Sequence, residues 1–207
     1  MISPSEGLKR LQQGNRRFVA GLQGEGAKSH HLRRILTAGG QSPFAIILGC
    51  SDSRVPAEII FDQGLGDLFV IRVAGNIVAP SQIGSVEFAA LNFGTPLVVV
   101  LGHSECGAVL ATIDYLRDPE HASHSRNSRA IVDRIKPAIN DIVACGGPDD
   151  MAQTNQAAVR ANVLASVDQL QHGSKLLEQM IVDKRLCIVG AEYSLETGVV
   201  EFIQGSN

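Results

Sequence analysis

Apolar and polar positions alternate along this chain between two kinds of segment. Short unbroken apolar runs at Phe44–Gly49 and Leu97–Gly102 have the length and β-branched content of strands buried on both faces, and further strands are expected at about 68–73 and 186–191. Between them lie longer stretches with apolar residues three and four apart, near 81–93, 106–117, 127–145 and 150–172, and this spacing predicts helices. Strands alternating with helices argue for a parallel sheet. A last apolar run, Val199–Ile203, follows a turn at Glu196–Gly198 that is too short for a crossover, so it is expected to pair antiparallel at an edge. The expected fold is α/β, with four parallel strands and one antiparallel edge strand flanked by helices.

Residues 1–40 precede the first strand and form an N-terminal helical arm. Ser3 or Ser5 can cap a helix running to about Val19, with Leu8, Leu11, Phe18 and Val19 as its apolar stripe and Gly21 and Gly24 ending it. A second short helix is expected at about Ser29–Thr37. Lying outside the sheet, the arm is expected to have no sheet partner in its own chain and to need another surface to cover. The segment from Asp118 to Ser125 is polar and turn-rich, a loop.

At 207 residues, with no linker, charge run or low-complexity segment to divide it, the chain is expected to be one domain, 1–207, with residues 41–207 as its core. Hydrophobic residues make up 44% of it and charged residues 19%, enough for one buried core. A net charge of −3 gives no electrostatic case for nucleic acid or an anionic membrane as partner. No stretch approaches the ~20 apolar residues of a membrane span, and no signal segment opens the chain, so a cytoplasmic location is expected. Cys145 and Cys187 read as small hydrophobic residues in a reducing compartment, with a disulfide between them the less favoured alternative. His30, His31, His121 and His124 fall in polar segments and read as solvated, while His172, before Gly173, reads as a helix C-terminal cap.

Chemistry concentrates where two of the strands end. The first central run leads directly into Cys50-Ser51-Asp52-Ser53-Arg54, and the second into His103-Ser104-Glu105-Cys106. Carboxyl ends of strands in open α/β sheets are where ligand crevices form. Two thiolates and an imidazole there make three ligands for one tetrahedral zinc, leaving a fourth position for water or for Asp52, and an incomplete protein shell marks a catalytic zinc. Arg54, two residues beyond Asp52, can form a bidentate pair that keeps the carboxylate ionised and off the metal.

Together with Arg72-Val-Ala-Gly-Asn76, Gly84-Ser-Val-Glu-Phe88 and Gly102-His-Ser-Glu-Cys-Gly107, these motifs resemble those of the β-class carbonic anhydrases, from roughly residue 5 to 203. The resemblance implies one Zn2+ per subunit and reversible hydration of carbon dioxide to bicarbonate by attack of zinc-bound hydroxide. Asp52 would orient the nucleophile, and ligate zinc only in a closed state. It also implies a homodimer or a dimer of dimers, with the N-terminal arm lying across a second subunit. Gln41 matches a substrate-facing glutamine, Phe69 and Phe88 match aromatics that narrow the pocket, and Gly107 matches a glycine whose backbone amide faces it, some of these coming from the neighbouring subunit. Phe88 replaces a tyrosine found in other members.

In members that close readily, a tryptophan joins an arginine and a tyrosine in holding a non-catalytic bicarbonate. Here Ile47 stands at the tryptophan position, with Arg72 and Tyr193 matching the other two, so an open site near and above neutral pH is expected. The same zinc chemistry suits carbonyl sulfide or carbon disulfide as an alternative substrate. A non-catalytic zinc-binding regulatory protein is the more distant alternative.

Overall fold

A computed structural model describes residues 2–22, 40–120, 125–145 and 151–203. In chain order these form α1 (Pro4–Val19), β1 (Ala45–Gly49), α2 (Ala57–Ile60), β2 (Leu68–Arg72), a 3-10 turn at Ala74–Asn76, α3 (Pro80–Phe93) and β3 (Leu97–His103). They continue with α4 (Gly107–Arg117), α5 (Arg126–Cys145), α6 (Met151–His172), α7 (Lys175–Val182), β4 (Cys187–Tyr193) and β5 (Val200–Ile203). The sheet order is β2-β1-β3-β4-β5, with the first four strands parallel and β5 antiparallel to β4. That is the expected α/β architecture.

β1 and β3 lie at the centre and every residue in them is buried, as their apolar runs require. One face, through Ile46, Leu48, Val98 and Val100, packs on α3, α6 and α7. The other, through Ala45, Ile47, Leu97, Val99 and Leu101, packs on Leu11 of α1 and on α2. A third cluster joins Cys50 and Cys106 to α4, α5 and α6, so the strand ends carrying the candidate ligands are roofed by helices.

The arm departs from expectation, because α1 has a sheet partner in its own chain. Leu11 is fully buried, and a Cβ on Gly14 would stand 1.7 Å from the Phe61 carbonyl oxygen, so only glycine permits the approach. Buried Asn15 donates to the Ile60 and Gly198 carbonyls (3.2 and 2.8 Å) and accepts from the Val200 N–H (2.9 Å). Those polar links tie α1 to α2 and to the edge strand.

The helix expected at 29–37, residues 121–124 of the expected loop, and His30, His31, His121 and His124 lie outside the described residues. Two helices went unexpected. α7 carried a readable signal in Ser174, whose hydroxyl caps Leu177 N–H at 3.3 Å ahead of an apolar pattern. α2, at four residues, is too short for periodicity to reveal. His172 ends α6 with Nδ1 3.0 Å from the Asp168 carbonyl oxygen, and Cys145 and Cys187 are both free.

Candidate metal centre

β1 and β3 are paired in register from Ile46–Val98 to Gly49–Leu101, so their carboxyl ends emerge side by side. Cys50 follows β1 directly, His103 closes β3, and Cys106 caps the start of α4. Their ligating atoms all lie within 4.8 Å of one another, and all three residues are buried. The spacing read from sequence thus becomes one cluster.

The protonation pattern of the cluster suits a cation. Nδ1 of His103 lies 2.8 Å from the Ser104 carbonyl oxygen and must carry its hydrogen to bond there. That leaves Nε2 as the lone-pair side, and Nε2 is buried with no hydrogen-bond partner. An orphaned buried nitrogen facing two thiols is the donor set of a soft to borderline divalent ion. The Cys50 thiol is pulled down to about 4, chiefly by hydrogen bonding with Cys106, with His103 and the Gly75 N–H (3.4 Å) adding to it. Cys106 is pushed well above the usual thiol range, first by the same bond to Cys50 and then by burial. The opposed shifts favour a thiolate at Cys50 beside a thiol at Cys106, whose proton a divalent cation between the sulfurs would displace. Burial is the largest single influence on His103 and lowers its pKa, but the neighbouring Cys50 sulfur and the bond to the Ser104 carbonyl outweigh it and the net shift is upward.

Asp52 stands at the rim. Arg54 holds it in a fork, Nε donating to Oδ1 at 3.0 Å and Nη2 to Oδ2 at 2.7 Å, while the Arg54 backbone N–H donates to Oδ1 at 2.9 Å. The side-chain bonds are the main reason the carboxyl lies far below its ordinary 3.8; desolvation opposes them and the backbone bond reinforces them. Oδ2 is 4.0 Å from His103 Nε2, close to the ligand cluster yet engaged by the guanidinium. Asp52 and Arg54 therefore adopt the arrangement in which the carboxylate borders the metal position without closing it.

Arg72 plays a part that its place in a sequence motif did not reveal. Its Nε donates to the Cys50 carbonyl at 3.0 Å and Nη2 to the Asp52 carbonyl at 2.6 Å, fixing the backbone that carries ligand and carboxylate. Tyr193 instead packs its ring on Phe18 of α1, centroids 6.4 Å apart. Asn162 and Ser166 of α6 reach the neighbouring 3-10 turn; the signal for them was polar residues spaced by four on an otherwise apolar helix face.

The expected pocket residues are distributed differently. Gly107 begins α4 beside Cys106, with open space where a side chain would start. Phe69, Phe88 and Phe93 form an aromatic trio with ring centroids 5.8–6.2 Å apart, and Phe88 is 52% exposed. Gln41 is exposed before β1, at the opposite end of that strand from Cys50, roughly 16 Å of strand away at ~3.3 Å per residue. A cavity of about 670 Å³ opens beside Arg54, lined in part by Glu105, Asn155, Arg160 and Glu192.

Comparison with known proteins agrees with this geometry. A profile of the family described as carbonic anhydrase matches residues 45–200. A protein named carbonic anhydrase 2 from Mycobacterium tuberculosis is 40% identical over 196 residues, 95% of this chain and 91% of the relative. A carbonic anhydrase from Mycolicibacterium smegmatis is 40% identical over 199 residues, 96% and 93% respectively. Among solved structures, the β-carbonic anhydrase CcaA superposes with a TM-score of 0.72 at 26% identity, covering 95% of both chains. A tetrameric β-carbonic anhydrase from Sordaria macrospora gives a TM-score of 0.70 at 24% identity, covering 84% of this chain and 86% of the other.

Proposed function

The chain belongs to the β-class carbonic anhydrase family, and from that premise we propose that it hydrates carbon dioxide reversibly to bicarbonate and a proton, using one zinc ion per chain held by Cys50, His103 and Cys106. The observation that carries this reading is the Asp52–Arg54 fork, 2.7 and 3.0 Å long, which leaves three buried ligands and an open fourth side. A zinc ion in such a three-ligand site supplies an acidified water as nucleophile near neutral pH.

The protein's own groups then set direction. Asp52, kept ionised by Arg54, has only acceptor lone pairs, so a nucleophile hydrogen-bonded to its carboxylate presents its free lone pair to the carbon of CO2. Because Arg54 and Arg72 fix the carboxylate and its backbone beforehand, little reorganisation accompanies the reaction. Carbon dioxide has no leaving group: water adds across one C=O bond and one proton leaves to solvent. The Gly107 amide is assigned to the pocket because it stands next to Cys106 with open space before it.

We assign Gln41, Phe69 and Phe88 to a pocket completed by a second chain, in a homodimer or dimer of dimers. Phe88 and Leu91, 52% and 59% exposed and one turn apart on α3, leave an apolar face for a partner, and the Sordaria relative is tetrameric. Four free cysteines favour a reducing, cytoplasmic setting; among the described residues no helix is long and apolar enough to cross a membrane.

Stopped-flow hydration of CO2, run beside sulfide release from carbonyl sulfide and carbon disulfide, tests the substrate. Hydration should dominate by orders of magnitude in kcat/KM. Rapid sulfide release with negligible CO2 turnover would overturn the assignment.

A further inference from the structure

With the bracing by Arg72, the segment Arg72-Val-Ala-Gly-Asn76 supplies three donors to the loop carrying Cys50 and Asp52. Two come from the Arg72 guanidinium to the carbonyls of Cys50 and Asp52, at 3.0 and 2.6 Å. The third is the Gly75 N–H, 3.4 Å from the Cys50 sulfur. Aiming that N–H demands unusual backbone: Gly75 and Asn76 both have positive φ, 71° and 43°. A Cβ on Gly75 would also lie 2.8 Å from Ile135 Cδ1 and 3.0 Å from the Ala108 Cβ. Two consecutive left-handed residues do not hold themselves in place.

What holds them comes from α6. Asn162 Nδ2 donates to the Gly75 carbonyl at 2.8 Å and Ser166 Oγ to the Asn76 carbonyl at 3.1 Å, and both side chains are 3% exposed. On the other side, Asn76 N–H bonds the Val73 carbonyl and Val73 N–H the Gly49 carbonyl, tying the turn to β1. We propose that Asn162 is a positioning residue for the metal: it pins Gly75 from the carbonyl side so that the N–H of the same residue stays directed at the Cys50 sulfur. This rests on the reading of Cys50, His103 and Cys106 as a metal site. Outer groups that bond a ligand orient it and tune its charge donation, and losing one commonly weakens metal binding ~10- to 100-fold. A hydrogen bond to a thiolate also lowers the energy of its lone pair, so removing it moves the sulfur-to-metal charge-transfer band to lower energy.

The test uses the full chain loaded with Co(II), read by its thiolate-to-cobalt absorption, together with zinc affinity from chelator competition and thermal melting. Asn162→Leu removes the donor at similar volume, and Asn162→Ser, too short to span the contact, is read in the same way if the leucine variant does not fold. Leu170→Ala, in the core face of the same helix but with no bond to the turn, controls for loss of stability. The expected result is ~10-fold or greater loss of zinc affinity with a red-shifted band in an Asn162 variant, while Leu170→Ala melts lower and keeps both. Unchanged affinity and band in the Asn162 variants, or the same change in Leu170→Ala, would overturn the proposal. Absence of any thiolate-to-cobalt band in the parent chain would instead refute the metal site itself.

Discussion

The two ends of β1 differ in how much of a working site a single chain supplies. At the carboxyl end, Cys50, His103 and Cys106 converge within 4.8 Å, Asp52 is forked by Arg54, and Arg72 and Gly75 brace the loop. At the amino end, Gln41 is exposed, and on the flank of the sheet the Phe88 ring is half in solvent. The contrast teaches that the ligand cluster and the forked carboxylate are complete within one fold, whereas the substrate wall is proposed to need a neighbour. Strand geometry explains this. Residues at one end of parallel strands meet each other, and a residue preceding the strand cannot fold back across the sheet to join them.

The largest effect is expected at the first end. Cys106→Ser replaces a thiolate with a far poorer ligand, so zinc content measured by plasma emission should fall sharply and hydration with it. Stoichiometric zinc with full activity would show that Cys106 is no ligand. Asp52→Asn should retain zinc yet lose about 10²-fold or more in kcat/KM, the usual scale for a positioned acceptor in proton handling. Loss of metal in that variant would place Asp52 among the ligands instead.

The pH dependence of the fork follows from the direction of its shift. Because the folded pKa of Asp52 lies below its ordinary 3.8, the stability its ion pair adds is present above that value and is lost as pH falls through the folded value. Wild-type hydration should therefore show no acid limb from Asp52 at pH 5 or above. Arg54→Ala removes the main cause of the shift, and the rate profile measured between pH 4 and 8 should gain an acid limb displaced upward. An unaltered profile would mean that the fork does not govern the carboxylate.

Phe88→Glu probes the other region. A surface substitution of this kind changes chain stability by about 0.5 kcal/mol or less, so zinc per chain should stay constant. Mass by light scattering should fall toward one chain and hydration should weaken. An unchanged assembly with full activity would contradict the shared wall. The smallest effect on activity is expected in Asn15→Ala, which strips partners from the Ile60 and Gly198 carbonyls and the Val200 N–H. A loss of about 2 kcal/mol, seen as a melting point lower by roughly 4–8 °C, should leave the zinc site intact.

How much was legible in the sequence follows the same division. The central strands could be read because burial on both faces forces continuous apolar runs, and the ligands because Cys50 and His103 sit where those runs stop. The docking of α1 on its own sheet could not, since it depends on the close approach at Gly14 and on buried Asn15, residues with no apolar signature. Arg72, Gly75 and Asn162 escaped for a related reason. Their roles run through backbone carbonyls and one N–H, and the partners lie 20 to 87 positions apart in the chain.

The central claim is that Cys50, His103 and Cys106 form the zinc centre of a CO2 hydratase, and its most direct test is the stopped-flow hydration rate of the chain stripped of metal and then titrated with zinc. Catalysis should be negligible without metal, and the rate should rise linearly to a plateau at one zinc per chain. Catalysis undiminished by metal removal, or a fully zinc-loaded chain that hydrates no carbon dioxide, would contradict that claim.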